Sequence, residues 1–337
     1  DSVGSNDMAG HSLLSDGVTA DSSENSFMFS LIALTSLFFM WGFITSLNDI
    51  LIPYLKSAFD LNYTQAMLIQ FCFFGAYFLI SIPAGKLVGK LGFKKGIVVG
   101  LSVAGGGCLM MYPAATSGIY VTFLLALFVL ASGITILQVS ANPYVSILGP
   151  QKTASSRLTM TQAFNSLGTT LAPLFGAWLI FGAGHQAQAG DASSVQMPYM
   201  FLASVLVLLA VTFAYLKLPE IEQSSFATDA PKSAWHFRHL TLGAVAIFVY
   251  VGAEVSIGSF LVNFLGQDDI AGMSEHQAST YVAYYWGGAM VGRFIGALVM
   301  RHVPPGKVLA FNGTMSVLLI LVTIVSSGPV AMWSILA

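Results

Sequence analysis

The sequence predicts an all-α, polytopic membrane protein. Three observations carry this. Of 337 residues, 55% are hydrophobic and only 8% are charged, whereas a soluble domain carries about 25% charged residues. Apolar runs of about 20 residues, the length a helix needs to cross a bilayer, recur along most of the chain. These runs are continuous, which excludes the alternating strands of about 10 residues that build a membrane β-barrel.

Residues 1–26, "DSVGSNDMAGHSLLSDGVTADSSENS", are acidic, rich in Ser, Asp and Gly, and poor in large apolar groups. They read as a disordered tail. They lack the basic start and short apolar core of a signal peptide. The chain does not begin with Met, so an upstream fragment or an engineered start is expected. Helical spans follow at about 28–53, 65–84, 96–115, 119–146, 157–182, 198–217, 240–264, 279–300 and 307–327. A tenth begins near Gly328 and is cut by the chain end at Ala337. The turns between spans are marked by Pro, Gly and charge, as in "KLGFKKG", "LGPQKTASSR", "LPEIEQSSFATDAPKSAWHFRH" and "RHVPPGK".

Lysine and arginine set the orientation, because cytoplasmic loops collect them. With the N-terminus cytoplasmic, eleven of the thirteen fall on that side: Lys86, Lys90, Lys94, Lys95, Lys152, Arg157, Lys217, Lys232, Arg238, Arg301 and Lys307. Lys56 is left outside and Arg293 inside the eighth span, while Asp60, Asp191, Asp268, Asp269 and Glu275 fall on outer loops. The expected location is the inner (plasma) membrane, multi-pass. The expected organisation is a disordered cytoplasmic tail at 1–26, a six-helix half at 27–218, a cytoplasmic linker at 219–239 and an incomplete second half at 240–337. A weak repeat supports two halves. "GKLVGKLGFKKG" from Gly85 and "GALVMRHVPPGK" from Gly296 share a glycine, a short apolar stretch, a basic residue and a final lysine, 211 residues apart. Parallel repeats of this kind relate the halves of some transporters.

Cys72 and Cys108 lie in apolar spans and read as packing residues, not as a disulfide framework or metal site. No Gly-x-x-x-x-Gly-Lys-Ser/Thr occurs, so ATP is not bound by that device and any transport would have to be driven by a gradient. No catalytic set, metal site or organic cofactor is expected, and no nucleic acid partner. The expected partners are the lipid bilayer and a small solute, with the protein a monomer.

The polar groups inside the spans carry the chemistry. Asp49, Glu254 and Arg293 are the ionisable side chains well inside them, cysteine and tyrosine aside. A charge at that depth costs about 2.5–3.5 kcal/mol on insertion scales, so it is paired, hydrated or protonated. Apolar surroundings raise a carboxylate's pKa and let it load and release a proton near neutral pH. Asp49, in "TSLNDILIPYL", lies about 9–10 Å of helix below Lys56. It reads as a coupling group, the alternative being a residue that snorkels to water. Glu254, in "YVGAEVSIGSF", reads as a coupling group or as half of a structural pair. Arg293, in "MVGRFIG", reads as structural, neutralising a carboxylate or lying near the cytoplasmic end.

Amides form a second set. Gln138 and Asn142 are four apart in the fourth span, and Gln162, Asn165 and Ser166 stand at i, i+3 and i+4 in the fifth, so each set shares a helix face. Such stripes either bond neighbouring helices, at about 0.6 kcal/mol each, or line a hydrophilic cavity. Amides and carboxylates beside aromatic rings such as Trp41 or Tyr144 suit a neutral polyhydroxy ligand. Asn48 joins Gln138, Asn142, Gln162, Asn165 and Trp41 as an expected substrate contact. An anion would want more basic residues. An organic cation would suit the two acids and the many aromatics, so a drug antiporter remains a rival, as does a membrane sensor that binds without flux. Pro143 and Pro173 each remove a backbone hydrogen bond inside a span. Gly75, Ala76, Gly168, Gly176, Gly287, Gly288 and Gly292 are expected at close helix contacts.

The segments "SLFFMWGFITSLNDILIPYLKSAFDL", "IQFCFFGAYFLISIPAGKL", "ANPYVSILGP" and "SSRLTMTQAFNSLG" resemble the fucose–galactose–glucose symporter family of the major facilitator superfamily, closest to its bacterial glucose/galactose branch. The basic turn after the second span resembles the superfamily's motif Gly-x-x-x-Asp-Arg/Lys-x-Gly-x-Arg/Lys-Arg/Lys, but Gly89 replaces its acid. The resemblance runs from about Phe29 to the chain end. It implies a major facilitator fold of twelve helices in two six-helix halves, about two to three more than the nine to ten counted here. It implies uptake of an aldohexose such as glucose or galactose, coupled to H⁺ or Na⁺. Asp49 matches the family's coupling aspartate, and Gln162 and Asn165 match expected sugar contacts. Fucose porters carry a glutamate at Gln138, a neutral residue at Glu254 and a tryptophan at Gly258. A second carboxylate is therefore present at a new place, and fucose is not the expected substrate.

Overall fold

A computed structural model describes residues 27–47, 61–181, 196–216, 218 and 236–337. Among them are ten α-helices and no β-strand: α1 (Phe27–Leu47), α2 (Tyr63–Leu91), α3 (Phe93–Ser117), α4 (Tyr120–Ile147), α5 (Ala154–Phe181), α6 (Gln196–Tyr215), α7 (Arg238–Leu265), α8 (Glu275–Val299), α9 (Pro305–Val325) and α10 (Gly328–Leu336). The contacts divide the chain into two compact units, Asp1–Glu220 and Ile221–Ala337.

Nearly every helix lies where the apolar runs place it. The main difference is α2, which continues to Leu91 instead of ending near residue 84. Its apolar window ends where the prediction does, but nothing after it breaks a helix until Gly92, whose φ of 85° suits a residue without Cβ. Lys86 and Lys90 therefore lie on the last turns of α2, and Lys94 and Lys95 on the first turn of α3. The basic loop contracts to one residue. At its other end α2 starts with a capping box, in which Asn62 accepts from Gln65 N and the Gln65 side chain accepts from Asn62 N. Ser274 and Gln277 start α8 in the same way.

In the first unit α3 packs on α4 and α6, and α4 also on α2 and α5. The α3–α4 seam is built on small residues. A Cβ at Gly100 would lie 2.7 Å from Leu137 N, and one at Gly107 or Gly133 would collide with the backbone of Leu130 or Ala104. Such close approach replaces the hydrophobic driving force that helices lack in lipid. The expected contact residues hold only in part. Gly168 lies against the Phe39 carbonyl of α1 and Ala76 is buried, but a Cβ at Gly75, Gly287 or Gly292 would meet nothing within 4 Å. At Gly288 only Leu336 O comes within that range, at 4.0 Å. The surroundings of Gly176 lie outside the described residues. Composition marks which residues permit close contact, while the partner helix decides which are used. Both cysteines are free, with Cys108 fully buried in α3. Pro143 and Pro173 lie inside α4 and α5.

In the second unit α8 packs on α7 and α10, and α10 on α9. Leu261 and Leu265 of α7, Ile270, Ala278 of α8, and Ala331, Met332 and Leu336 of α10 form one buried cluster. The hydroxyls of Thr323 and Ser334 meet at 2.8 Å between α9 and α10, and Gly328 N donates to Asp269 O at 2.8 Å.

Candidate functional site

Seven of the described helices are long and apolar enough to cross a membrane by length and composition: α1, α2, α3, α4, α6, α7 and α9. The two other long helices, α5 and α8, carry amides, hydroxyls and charge along their length. Polar groups are kept in such helices only where other protein or water meets them. Both candidate clusters form on these two helices.

The first cluster joins α1, α4 and α5. Gln162 Nε2 of α5 donates to Asn142 Oδ1 of α4 at 3.3 Å. Gln138 lies one turn before Asn142 on the same face of α4 and is partly buried, as are Asn142, Gln162 and Asn165. Asn165 Nδ2 donates to the Phe38 carbonyl of α1 at 2.9 Å. One turn on, Thr169 Oγ1 donates to the Gly42 carbonyl at 3.3 Å and to Asn165 O at 3.1 Å. Gly42 makes this crossing possible, since a Cβ there would collide with the Asn165 carbonyl. Trp41 lies on the same turn of α1, its ring 5.6 Å from that of Phe38. The structure thus brings Trp41, Asn142, Gln162 and Asn165 onto three helices, with α5 bonded to both α1 and α4 and Gln138 alongside. Asn165 differs from the expectation in one respect: part of its amide is spent on holding α1. Tyr144 is buried and stacks on Phe93 at 6.0 Å, which makes it a packing residue. Asn48 and Asp49 lie outside the described residues, just past the described end of α1 at Leu47.

The second cluster joins α7 and α8. Arg293 Nη2 meets Glu254 Oε1 at 3.2 Å, with the two side chains 32% and 15% exposed. Tyr285 OH donates to the Glu254 backbone carbonyl at 3.1 Å. One turn along α7, a Cβ on Gly258 would lie 2.9 Å from Trp286 Cζ2 and 3.5 Å from Tyr285 Cε1. The pairing of Glu254 with Arg293 is the neutralised arrangement that a charge pair needs at this depth.

A third feature was not legible. Arg157, expected as a loop cation, lies on the first turns of α5 and is only 7% exposed. Its guanidinium donates to the carbonyls of Pro150 at 2.8 Å and Ser146 at 3.1 Å, to Val145 O at 3.5 Å, and to Thr153 Oγ1 at 2.5 Å. It therefore caps the C-terminus of α4, where last-turn carbonyls have no partner within the helix and the dipole favours a cation. Its place among so many loop cations hid it.

Polar clusters on helices that would otherwise be lipid-like define a polytopic helical membrane carrier. The chain belongs to the major facilitator superfamily, whose sequence profile matches residues 30–337. It is 59% identical over 322 residues to a glucose/galactose transporter of Brucella abortus, covering 95% of this chain and 78% of that one. It is 34% identical over 333 residues to the L-fucose-proton symporter of Escherichia coli, covering 92% and 76%. The crystal structure of the E. coli fucose:proton symporter superposes with a TM-score of 0.83 at 32% identity, over 92% of this chain and 80% of that one. The fold is thus the major facilitator fold.

Proposed function

We propose that this protein is a secondary active sugar carrier, a cation symporter that moves an aldohexose such as glucose or galactose by alternating access. The observation that carries this is the bonded amide pair Asn142 and Gln162, with Asn165 one turn along α5 on the same face, in a chain whose relatives are named as sugar transporters. Amides donate to and accept from hydroxyls, and an indole packs against the C–H face of a pyranose. Gln138, Asn142, Gln162, Asn165, Trp41 and Asn48 are the sugar contacts in this reading. No relative named above favours the drug antiporter or the sensor.

Asp49 is the coupling group. Its charge state biases the inward–outward equilibrium, because a bound cation shifts that equilibrium only as far as it prefers one state. Glu254 is held by Arg293 and contributes from the second unit, to sugar or to a cation. The carrier catalyses no covalent step, needs no organic cofactor, and acts as a monomer in the plasma membrane with its N-terminus in the cytoplasm. Radiolabelled glucose uptake into proteoliposomes tests this, with an inward Na⁺ gradient at equal pH in one arm and an inward H⁺ gradient without Na⁺ in the other. Accumulation with Na⁺ alone makes Asp49 and Glu254 cation ligands. Accumulation with H⁺ alone makes Asp49 the proton carrier. No uptake of glucose or galactose in either arm rejects the sugar reading.

A further inference from the structure

The seam between α7 and α8 holds more than an ion pair. Glu254 and Gly258 are one turn apart on α7, and Trp286 and Arg293 are two turns apart on α8, so each pair shares a face of its helix. The contacts run antiparallel, with Glu254 against Arg293 and Gly258 against Trp286. Because a charge pair is kept from lipid, the face bearing Arg293 is the protected face of α8, and Trp286 lies on it. The indole is only partly buried. Its edge occupies the space that a β-carbon at residue 258 would need, with Trp286 Cζ2 2.9 Å from that point. Tyr285 stands edge-on to Trp286, centroids 5.2 Å apart at 74°, and is tied to α7 through the Glu254 carbonyl. The indole is therefore held in place from two sides.

We propose that Trp286 is a sugar-contacting, specificity-determining residue of the second unit, and that Gly258 is the residue that makes room for it. The chemistry is that of pyranose recognition. A flat aromatic surface lies about one helical turn, roughly 6 Å along α7, from a carboxylate that can only accept hydrogen bonds. A pyranose is about that size, with an apolar C–H face and equatorial hydroxyls. The inference rests on the sugar-carrier reading.

Uptake kinetics for D-glucose and D-galactose in proteoliposomes test it with Trp286→Phe, Trp286→Ala, Gly258→Ala and the double variant Gly258→Ala/Trp286→Phe. Loss of the indole should raise KM about tenfold in Trp286→Ala, with a smaller rise in Trp286→Phe, and should fall on KM more than on maximal rate. Gly258→Ala should raise KM by displacing the indole, and this effect should shrink when Trp286 is already Phe. Sugar-induced change in tryptophan fluorescence should diminish in Trp286→Phe, which keeps a ring and preserves packing if the alanine variant does not reach the membrane. Wild-type transport alongside unchanged KM and unchanged fluorescence response in Trp286→Phe and Trp286→Ala would overturn this proposal and leave the sugar reading standing. A wild-type protein that neither transports nor responds to either hexose would overturn both.

Discussion

At the scale of the residue, the amides separate into two jobs. Asn142 and Gln162 bond to each other, side chain to side chain, and each keeps capacity for a ligand hydroxyl. Replacing either by Ala should raise KM for the sugar by a factor of about 3–10, the worth of one neutral hydrogen bond, and leave thermal stability nearly unchanged. Asn165 instead bonds the backbone of α1. Asn165→Ala removes this bond between α5 and α1 and should destabilise the protein by about 0.5–1.5 kcal/mol, read as a lower melting temperature in detergent. Asp49 carries the sharpest expectation. Asp49→Asn should abolish gradient-driven accumulation and spare sugar exchange, measured as counterflow in the same vesicles, and accumulation at the wild-type level would remove Asp49 from the coupling role. Sequence spacing put the amides on shared faces correctly. It could not tell which atoms of Asn165 would be taken by a neighbouring helix, because that depends on Gly42 allowing α1 to come close.

At the scale of the element, helix positions were legible and helix partners were not. Continuous apolar runs bounded by Gly, Pro and charge locate α1 to α10, because a bilayer demands about 20 apolar residues per crossing. The end of α2 was missed because hydropathy reports where lipid stops and says nothing of where a helix stops. The α3–α4 seam shows the same limit. Gly75 and Gly100 look alike in sequence, yet only Gly100 faces a backbone within its own unit. Gly100→Leu or Gly133→Leu should therefore destabilise by about 1–3 kcal/mol or more, with Gly75→Leu as the tolerated comparison, checked by thermal unfolding in detergent. Arg157 belongs to this scale too, since it acts on a helix end. Arg157→Ala strips donors from the last turn of α4 and should lower the melting temperature. Arg157→Lys should rescue it poorly, because one ammonium cannot reproduce the guanidinium fork.

At the scale of the whole molecule, the charge count predicts an orientation that labelling can check. With Cys72 and Cys108 replaced, a single cysteine at Gln267 should react with a membrane-impermeant maleimide on intact cells, and one at His302 should react only after lysis. The reverse pattern would invert the topology drawn from the lysines and arginines. The fold class and the family were legible from a few segments of sequence, since composition reports the solvent a chain lives in. The pairing of Glu254 with Arg293 was anticipated only as one of several outcomes, because two charges 39 residues apart find each other through packing that no local pattern encodes. That pairing, with the Arg157 cap, bears on how the chain is made. The two long helices that carry the polar clusters, α5 and α8, are each bonded to the helix immediately before them, α5 to α4 by a guanidinium and α8 to α7 by an ion pair. A ribosome delivers α4 before α5 and α7 before α8, so each polar helix emerges with its stabilising neighbour already at hand. Insertion of the polar helices can then proceed by hairpins, the partner waiting at the translocon, and a chain lacking Glu254 or Arg157 should stall at biogenesis before any defect in transport is seen.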